Sequence, residues 1–447
     1  MFFSENKTAA CGLAAVLLLF GVSARAFSTE NAREPQLLAQ LPTQPSVNPD
    51  TAIADVPLTL QQALALTLTG NPELAAFSEE IRAREAAELQ AGLLPNPVFG
   101  ANAGNFGNRS VKGFDGDVVT LALSQLIELG GKRAARIQVA QIGREVADWD
   151  YEIQRVTVLA RAVQAFIDVL SAQARTELTR HSLELAEKVV QTVSNQVKAG
   201  KVSPVEATRV EVALATTRSE MMRTERELEA AGRKLAAFWG STVPEFSNVQ
   251  GDLEAIQTLP SLPSLTDRLK HSPELDRWTS ELSRRQALLE AEKTKAVPDL
   301  TVTLGGGNYL DRQDYVMNVG FSLPLPVFDR NQGNIQQAER QRSKAENEQQ
   351  AAQVRIGTEL NTTYLNLDAI HAEIENYRST ILPGAESAYQ AVQKGYRLGK
   401  FALLDVLDTQ RTLFNAKGQY LRALAAYHQG VADIERLMGG AISEDSK

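Results

Sequence analysis

Residues able to do covalent or metal chemistry are thinly spread along this 447-residue chain. The four histidines, His181, His271, His371 and His428, lie far apart, whereas a catalytic metal site draws on about three protein ligands. No Ser-His-Asp grouping can be assembled from local spacing. Gly130-Gly131-Lys132-Arg133 has a phosphate-loop flavour but lacks the upstream glycine and the Ser/Thr that such a loop needs. The single cysteine, Cys11, excludes an intrachain disulfide framework and a cysteine-based zinc site. What remains is charge. Asp405 and Asp408 stand in or near the first turn of a helix, where negative charge is favoured by the helix dipole. Glu206, behind Ser203-Pro204, is placed to close a capping box.

Composition points away from several classes. With 46 basic and 54 acidic residues the net charge is −8, the wrong sign for a general nucleic-acid binder. Lys7, an apolar run from Cys11 to Val22 and Ala24-Arg25-Ala26 have the layout of a cleaved export signal. Without residues 1–26 the chain carries 44 basic and 53 acidic residues, a net −9, and no cysteine. Cys11 precedes the apolar run, so it is not placed to carry a lipid anchor. No other stretch is expected to reach the roughly 18 apolar residues of a membrane helix, so any crossing would be made by strands. Residues 27–57, with five prolines, read as an extended tail.

The remainder is one unit written twice. Asn71-Pro72-Glu73-Leu74 returns as Ser272-Pro273-Glu274-Leu275, an offset of 201 residues. Ala199-Gly200-Lys201-Val202 returns as Leu398-Gly399-Lys400-Phe401, and Phe238-Trp239-Gly240 as Leu437-Met438-Gly439, both at 199. The chain therefore divides into a leader (1–26), an extended segment (27–57), a first repeat (58–249), a second repeat (250–440) and a polar tail (441–447).

Each repeat runs from helical to alternating periodicity and back. Leu300, Val302 and Leu304 alternate with polar or small residues, as do Tyr315, Met317, Val319, Phe321 and Leu323, and a polar turn at 308–312 makes the pair a hairpin. Val98 to Phe106 and Val118 to Gln125 form its counterpart. At about ten residues each, the strands are long enough to cross a membrane at a tilt. The helices are long. Ile142, Val146, Trp149, Ile153, Val156, Ala160, Val163, Ile167, Leu170 and Ala174 form one coiled-coil seam, and Ile356, Leu360, Thr363, Leu367, Ile370, Ile374, Tyr377 and Ile381 another. No proline interrupts Gly131 to Ala199, and a helix of that length spans about 100 Å. Pro383-Gly384 should kink the second long helix. The fold class is thus mainly α with membrane β-strands. Four strands cannot close a barrel, and open edges are not tolerated in lipid, so the chain must oligomerise: two copies give eight strands, three give twelve.

Four segments carry a family resemblance: Leu94-Pro95-Asn96-Pro97 before the first strand, Ile127-Glu128-Leu129-Gly130-Gly131-Lys132-Arg133 after the second, Pro324 to Gly333 after the fourth, and Leu404-Asp405-Val406-Leu407-Asp408. With the duplicated plan they resemble the TolC family of outer-membrane efflux channels, and the Glu-Leu-Gly-Gly-Lys-Arg wording looks most like its CzcC/CusC heavy-metal branch. The resemblance implies a homotrimer with a shared twelve-stranded barrel in outer-membrane lipid and a helical tunnel across the periplasm. It also implies docking to a periplasmic adaptor and an inner-membrane pump of the resistance-nodulation-division type. On this plan the protein is a passive, non-enzymatic duct without cofactor or resident metal. Asp405 and Asp408 match the acidic ring that gates the far tip. Glu206 and Tyr396 match positions that latch it, although Phe401 replaces a basic latch residue. Gly200, Lys201, Gly399 and Lys400 match tips that meet the adaptor. Alternatives are efflux of organic solutes, type I secretion, or a periplasmic adaptor, which would show one helical hairpin where this chain shows two.

Overall fold

The computed structural model describes residues 57–104, 118–256, 258–309 and 314–442. The expected leader, nearly all of the extended segment and most of the polar tail lie outside these residues. The elements are β1 (Leu58–Thr59), α1 (Leu60–Gly70), α2 (Pro72–Ala91), β2 (Val98–Gly104), β3 (Val118–Ile127), α3 (Lys132–Lys198), α4 (Pro204–Ala236), β4 (Val249–Gln250) and α5 (Leu262–Leu269), followed by α6 (Pro273–Lys295), β5 (Leu300–Tyr309), β6 (Asp314–Ser322), α7 (Gln332–Asn376), α8 (Leu382–Arg397) and α9 (Leu403–Met438).

The sheet order is β2-β3-β5-β6, antiparallel throughout. Its register sorts the side chains into two faces. Phe99, Leu123, Leu304 and Val319 stand opposite one another across the four strands, as do Ala101, Leu121, Gly306 and Met317. The other face carries Thr120, Ser124, Thr301, Thr303, Asn318 and Ser322, and there the Ser124 and Thr303 hydroxyls bond at 2.9 Å. The alternation read from the sequence is therefore a face alternation. Tyr315 on the apolar face is 85% exposed, and Met317 and Phe321 beside it are exposed as well. Within the described residues β2 and β6 each keep one unpaired edge.

α3 is one unbroken helix of 67 residues. From its far end α4 returns for 33 residues, about half its length, and stops at Gly240, which takes a left-handed φ of 79°. Gly240 abuts Pro72, the first residue of α2, and the Asn71 side-chain amide donates to the Phe238 carbonyl at 2.8 Å while its oxygen caps α2 by accepting from Leu74 N–H at 3.0 Å. The second repeat copies the joint: Gly439 ends α9 at φ 78° directly against Pro273, the first residue of α6. Ser272 differs from Asn71. Its hydroxyl is buried without a partner, so this joint lacks the side-chain cap of the first. Two half-length helices thus stack head to tail beside each long one.

The long partner in the second repeat is α7 plus α8, joined by a π-helical turn at Tyr377–Ile381. The distortion expected at Pro383 falls in the preceding turn. Proline has no N–H for the carbonyl four residues back, and the ladder widens there instead. The seams are the core: Ile356, Leu360, Leu367 and Ile374 are buried with Leu424, Tyr427 and Ile434 of α9. One sequence expectation needs correction. α3 contains an 18-residue stretch apolar enough to pass for a membrane helix. Val158, Ala162, Ala165, Phe166 and Val169 explain it: all are buried inside the protein.

Candidate functional site

The two hairpin tips are built alike. Gly200 and Gly399 have φ of 67° and 72°, and each follows a helix whose last carbonyls are satisfied in the same crossed pattern. Lys201 N–H donates to Gln196 O at 2.9 Å and Gly200 N–H to Val197 O at 2.9 Å; Lys400 N–H donates to Gly395 O at 2.8 Å and Gly399 N–H to Tyr396 O at 3.0 Å. Lys201 and Lys400 are exposed at the extremity. A small apolar cluster of Val193, Val210 and Leu403, joined by Val202, Tyr396 and Leu407, ties the two tips together. Phe401 folds back onto Gly395, leaving no room there for a Cβ.

Asp405 and Asp408 both lie exposed on the first turns of α9. Asp405 receives the Ala402 N–H at 2.9 Å and so caps the helix. Asp408 accepts from Arg411 Nη2 at 2.7 Å, one turn on. This pair is open to water, and its charge is screened more than cancelled. Asp408 and Arg411 also line a groove of about 680 Å³ between α3, α4 and α9, together with Arg175, Arg223 and the buried Gln410.

The capping box expected at Ser203 is half formed. Ser203 Oγ accepts from Val205 N–H, but the Glu206 carboxylate turns to Arg209 at 3.3 Å, because a cation one turn along on the same face competes with the backbone donor. Tyr396 and Glu206 are neighbours without a direct bond. The Tyr396 hydroxyl donates to Gln196 Oε1 at 3.0 Å, which pins α8 to α3. Burial pushes the Tyr396 hydroxyl above its usual pKa, and the nearby Glu206 charge pushes it further, so it remains a donor at neutral pH. Gln196 was not singled out from sequence. The repeat gives no hint of it, since the counterpart of Gln196, 199 residues on, is Gly395, which has no side chain.

Gly130-Gly131-Lys132-Arg133 and its flanks form a joint between sheet and helices. Gly130 takes φ 70°, and a Cβ there would meet Val297 at 2.7 Å. Arg136 forks onto Glu128 at 2.6 and 3.2 Å and donates to the Ala91 and Leu93 carbonyls, while Arg133 donates to Gly92 O at 2.7 Å. Two guanidiniums thus meet the negative end of the α2 dipole. Lys132 Nζ reaches Asp299 at 2.7 Å, and Asp299 also accepts from Leu129 N–H at 3.0 Å. Burial pushes the Asp299 carboxyl up, but the Lys132 and Leu129 donors outweigh it and hold the group below the usual carboxylate range. A depressed folded pKa means that the stabilisation is complete above the unfolded value of about 3.9 and is lost as pH falls through the folded one. Asp299→Asn should therefore cost about 1.5–3 kcal/mol at pH 7. In denaturant titrations the gap to wild type should narrow at pH 3; an equal gap at both pH values would refute this assignment.

Among the described residues no group of three His, Cys, Asp or Glu side chains is placed to hold a metal ion. His428 instead bonds the Leu253 carbonyl at 2.9 Å. What the tip does offer is a pair of exposed carboxylates, Asp405 and Asp408, at the start of α9.

The model of the family described as outer membrane efflux protein matches residues 63–241 and 265–440, the two repeats. The cobalt-zinc-cadmium resistance protein CzcC of Cupriavidus metallidurans is 37% identical over 383 residues, 86% of this chain and 90% of that protein. The outer membrane protein TolC of Escherichia coli is 22% identical over 412 residues, 86% and 83% of the two chains. Among solved structures, that of CusC superposes with a TM-score of 0.75 at 16% identity, over 86% of this chain and 92% of that one.

Proposed function

The chain belongs to the outer membrane efflux protein family, that of TolC, and on that premise we propose that it is the outer-membrane exit duct of a tripartite heavy-metal efflux system. The observation that carries the metal reading is the 37% identity to a cobalt-zinc-cadmium resistance protein along 90% of its length. Three copies would close the sheet: the free edges of β2 and β6 suit end-to-end pairing of four-stranded sheets into a barrel of twelve, and lipid tolerates no open edge. The apolar face of the sheet would meet lipid and the Thr/Ser/Asn face would line a wet lumen. The long helices continue from it as the periplasmic tunnel.

In this reading 58–249 and 250–440 are the two structural repeats, and the leader is removed near Ala26. The tips at Gly200, Lys201, Gly399 and Lys400 receive the periplasmic adaptor, which connects to the inner-membrane resistance-nodulation-division pump. The duct does no chemistry. Its control lies at the tip, where Asp405 and Asp408 of three copies put six carboxylates around the axis and favour cations over anions. Tyr396, held to Gln196 and beside Glu206, supports a closed tip.

Deleting the gene in its host should increase sensitivity to zinc, cobalt or cadmium and leave sensitivity to organic drugs unchanged, with restoration by the gene in trans. Sensitisation to drugs alone would reassign the duct to organic solutes.

A further inference from the structure

The segment between β6 and α7 is a loop that displays apolar side chains to solvent. Phe328 is 91% exposed and Leu325 76%, with Leu323 and Val327 also exposed. The loop is nonetheless pinned. Arg330 Nε donates to Pro326 O at 3.2 Å, Val327 N–H to Leu325 O at 2.8 Å, and Asn331 N–H to Asp329 Oδ1 at 2.8 Å. Asn331 holds a left-handed φ of 61° and its amide bonds both the main chain and the carboxylate of Glu292 at 2.8 Å. A non-glycine residue in that conformation, tied from two sides, fixes the loop in a shape that leaves its apolar residues unburied.

A second apolar strip lies at the opposite edge of the sheet. Leu89 on α2 and Leu93 and Leu94 after it are exposed, Leu94 by 65%. Topology brings the two strips together between copies. β2 leaves the helical end of the sheet and β6 returns to it, so when β6 of one copy pairs antiparallel with β2 of the next, the residues after Ser322 run beside those before Val98.

We infer that residues 323–328 form a strap that docks onto Leu89, Leu93 and Leu94 of the adjacent copy and locks the foot of the barrel. The occupant is a second copy of this chain, because the strap continues an open strand edge that only another such edge satisfies. The inference rests on the trimeric assembly proposed above. Preorganisation of the loop lowers the ordering cost of association.

The test uses the full-length chain, whose one cysteine, Cys11, lies in the proposed leader. Phe328→Cys and Leu93→Cys, combined in one chain and oxidised in native membranes, should give covalent dimers and trimers on non-reducing gels that collapse on reduction; neither single variant should. Native mass spectrometry of the unoxidised double variant reports assembly independently. Phe328→Ser should in addition lower the temperature at which trimers separate in detergent. Trimers that never cross-link, with the Phe328→Cys thiol labelled by a bilayer-confined maleimide, would place the strap in lipid and overturn the inference while leaving the duct intact. Monomers would overturn both.

Discussion

Channels in which Asp405 and Asp408 are both replaced by asparagine should pass more current than wild type and lose about tenfold of their sensitivity to block by multivalent cations. Exposed and screened, each carboxylate contributes only about 0.2–0.3 kcal/mol to holding a cation, but six around one axis add to about 1.4 kcal/mol, a factor of ten. Asparagine is the informative substitute. Its side-chain oxygen can still accept the Ala402 N–H that Asp405 caps at 2.9 Å, so the start of α9 is preserved while the charge is removed. Losing the exposed Asp408 to Arg411 pair should cost little, and it frees a cation at the tip that weakens cation block further. Planar-bilayer recording of the two proteins side by side measures the effect; equal block would remove the gate from these residues.

Gly439→Ala should destabilise the protein far more than Gly240→Ala, although the two glycines hold the same place in the two repeats and nearly the same φ, 78° and 79°. A left-handed alanine costs about 1–2 kcal/mol at either position. At Gly240 the added Cβ finds its nearest neighbour, Gly70 O, at 3.4 Å, an ordinary contact. At Gly439 it would stand 2.6 Å from Pro273 Cδ, so the head-to-tail joint between α9 and α6 must open, at a further cost of about 1–3 kcal/mol. Expected losses are about 1–2 and 2–5 kcal/mol in denaturant titrations of the two variants. Equal losses would mean that the joint yields freely and does not fix the length of the stack.

Both predictions depend on features of unequal visibility in the sequence. The unbroken α3 follows from a proline-free stretch with a 4,3 seam, and the strand faces follow from period two, because each is a local rule applied many times over. The two sides of the duplicated joints were legible through the 201- and 199-residue offsets. Partner choice was not. Glu206 stands three residues from Ser203 and three from Arg209, and only the side-chain geometry shows that the carboxylate goes to the arginine. The Tyr396 bond to Gln196 crosses 200 residues of sequence. The two-residue strands β1 and β4, which pair in parallel, are too short to leave a period. Pro383 was visible, but its effect surfaced a turn earlier, at Tyr377–Ile381, where the missing donor is felt. Glu-Leu-Gly-Gly-Lys-Arg was visible as a motif, and its work as a joint became clear only once Asp299 and the α2 carbonyls stood beside it.

That three copies of this chain make a cation-preferring conduit narrowed at its helical tip is tested most directly by the wild-type current itself. Purified protein inserted in a planar bilayer with a salt gradient should give small, discrete conductance steps whose reversal potential lies on the cation side. A large, unselective or anion-preferring pore, or membranes that stay silent with the protein demonstrably inserted, would contradict it.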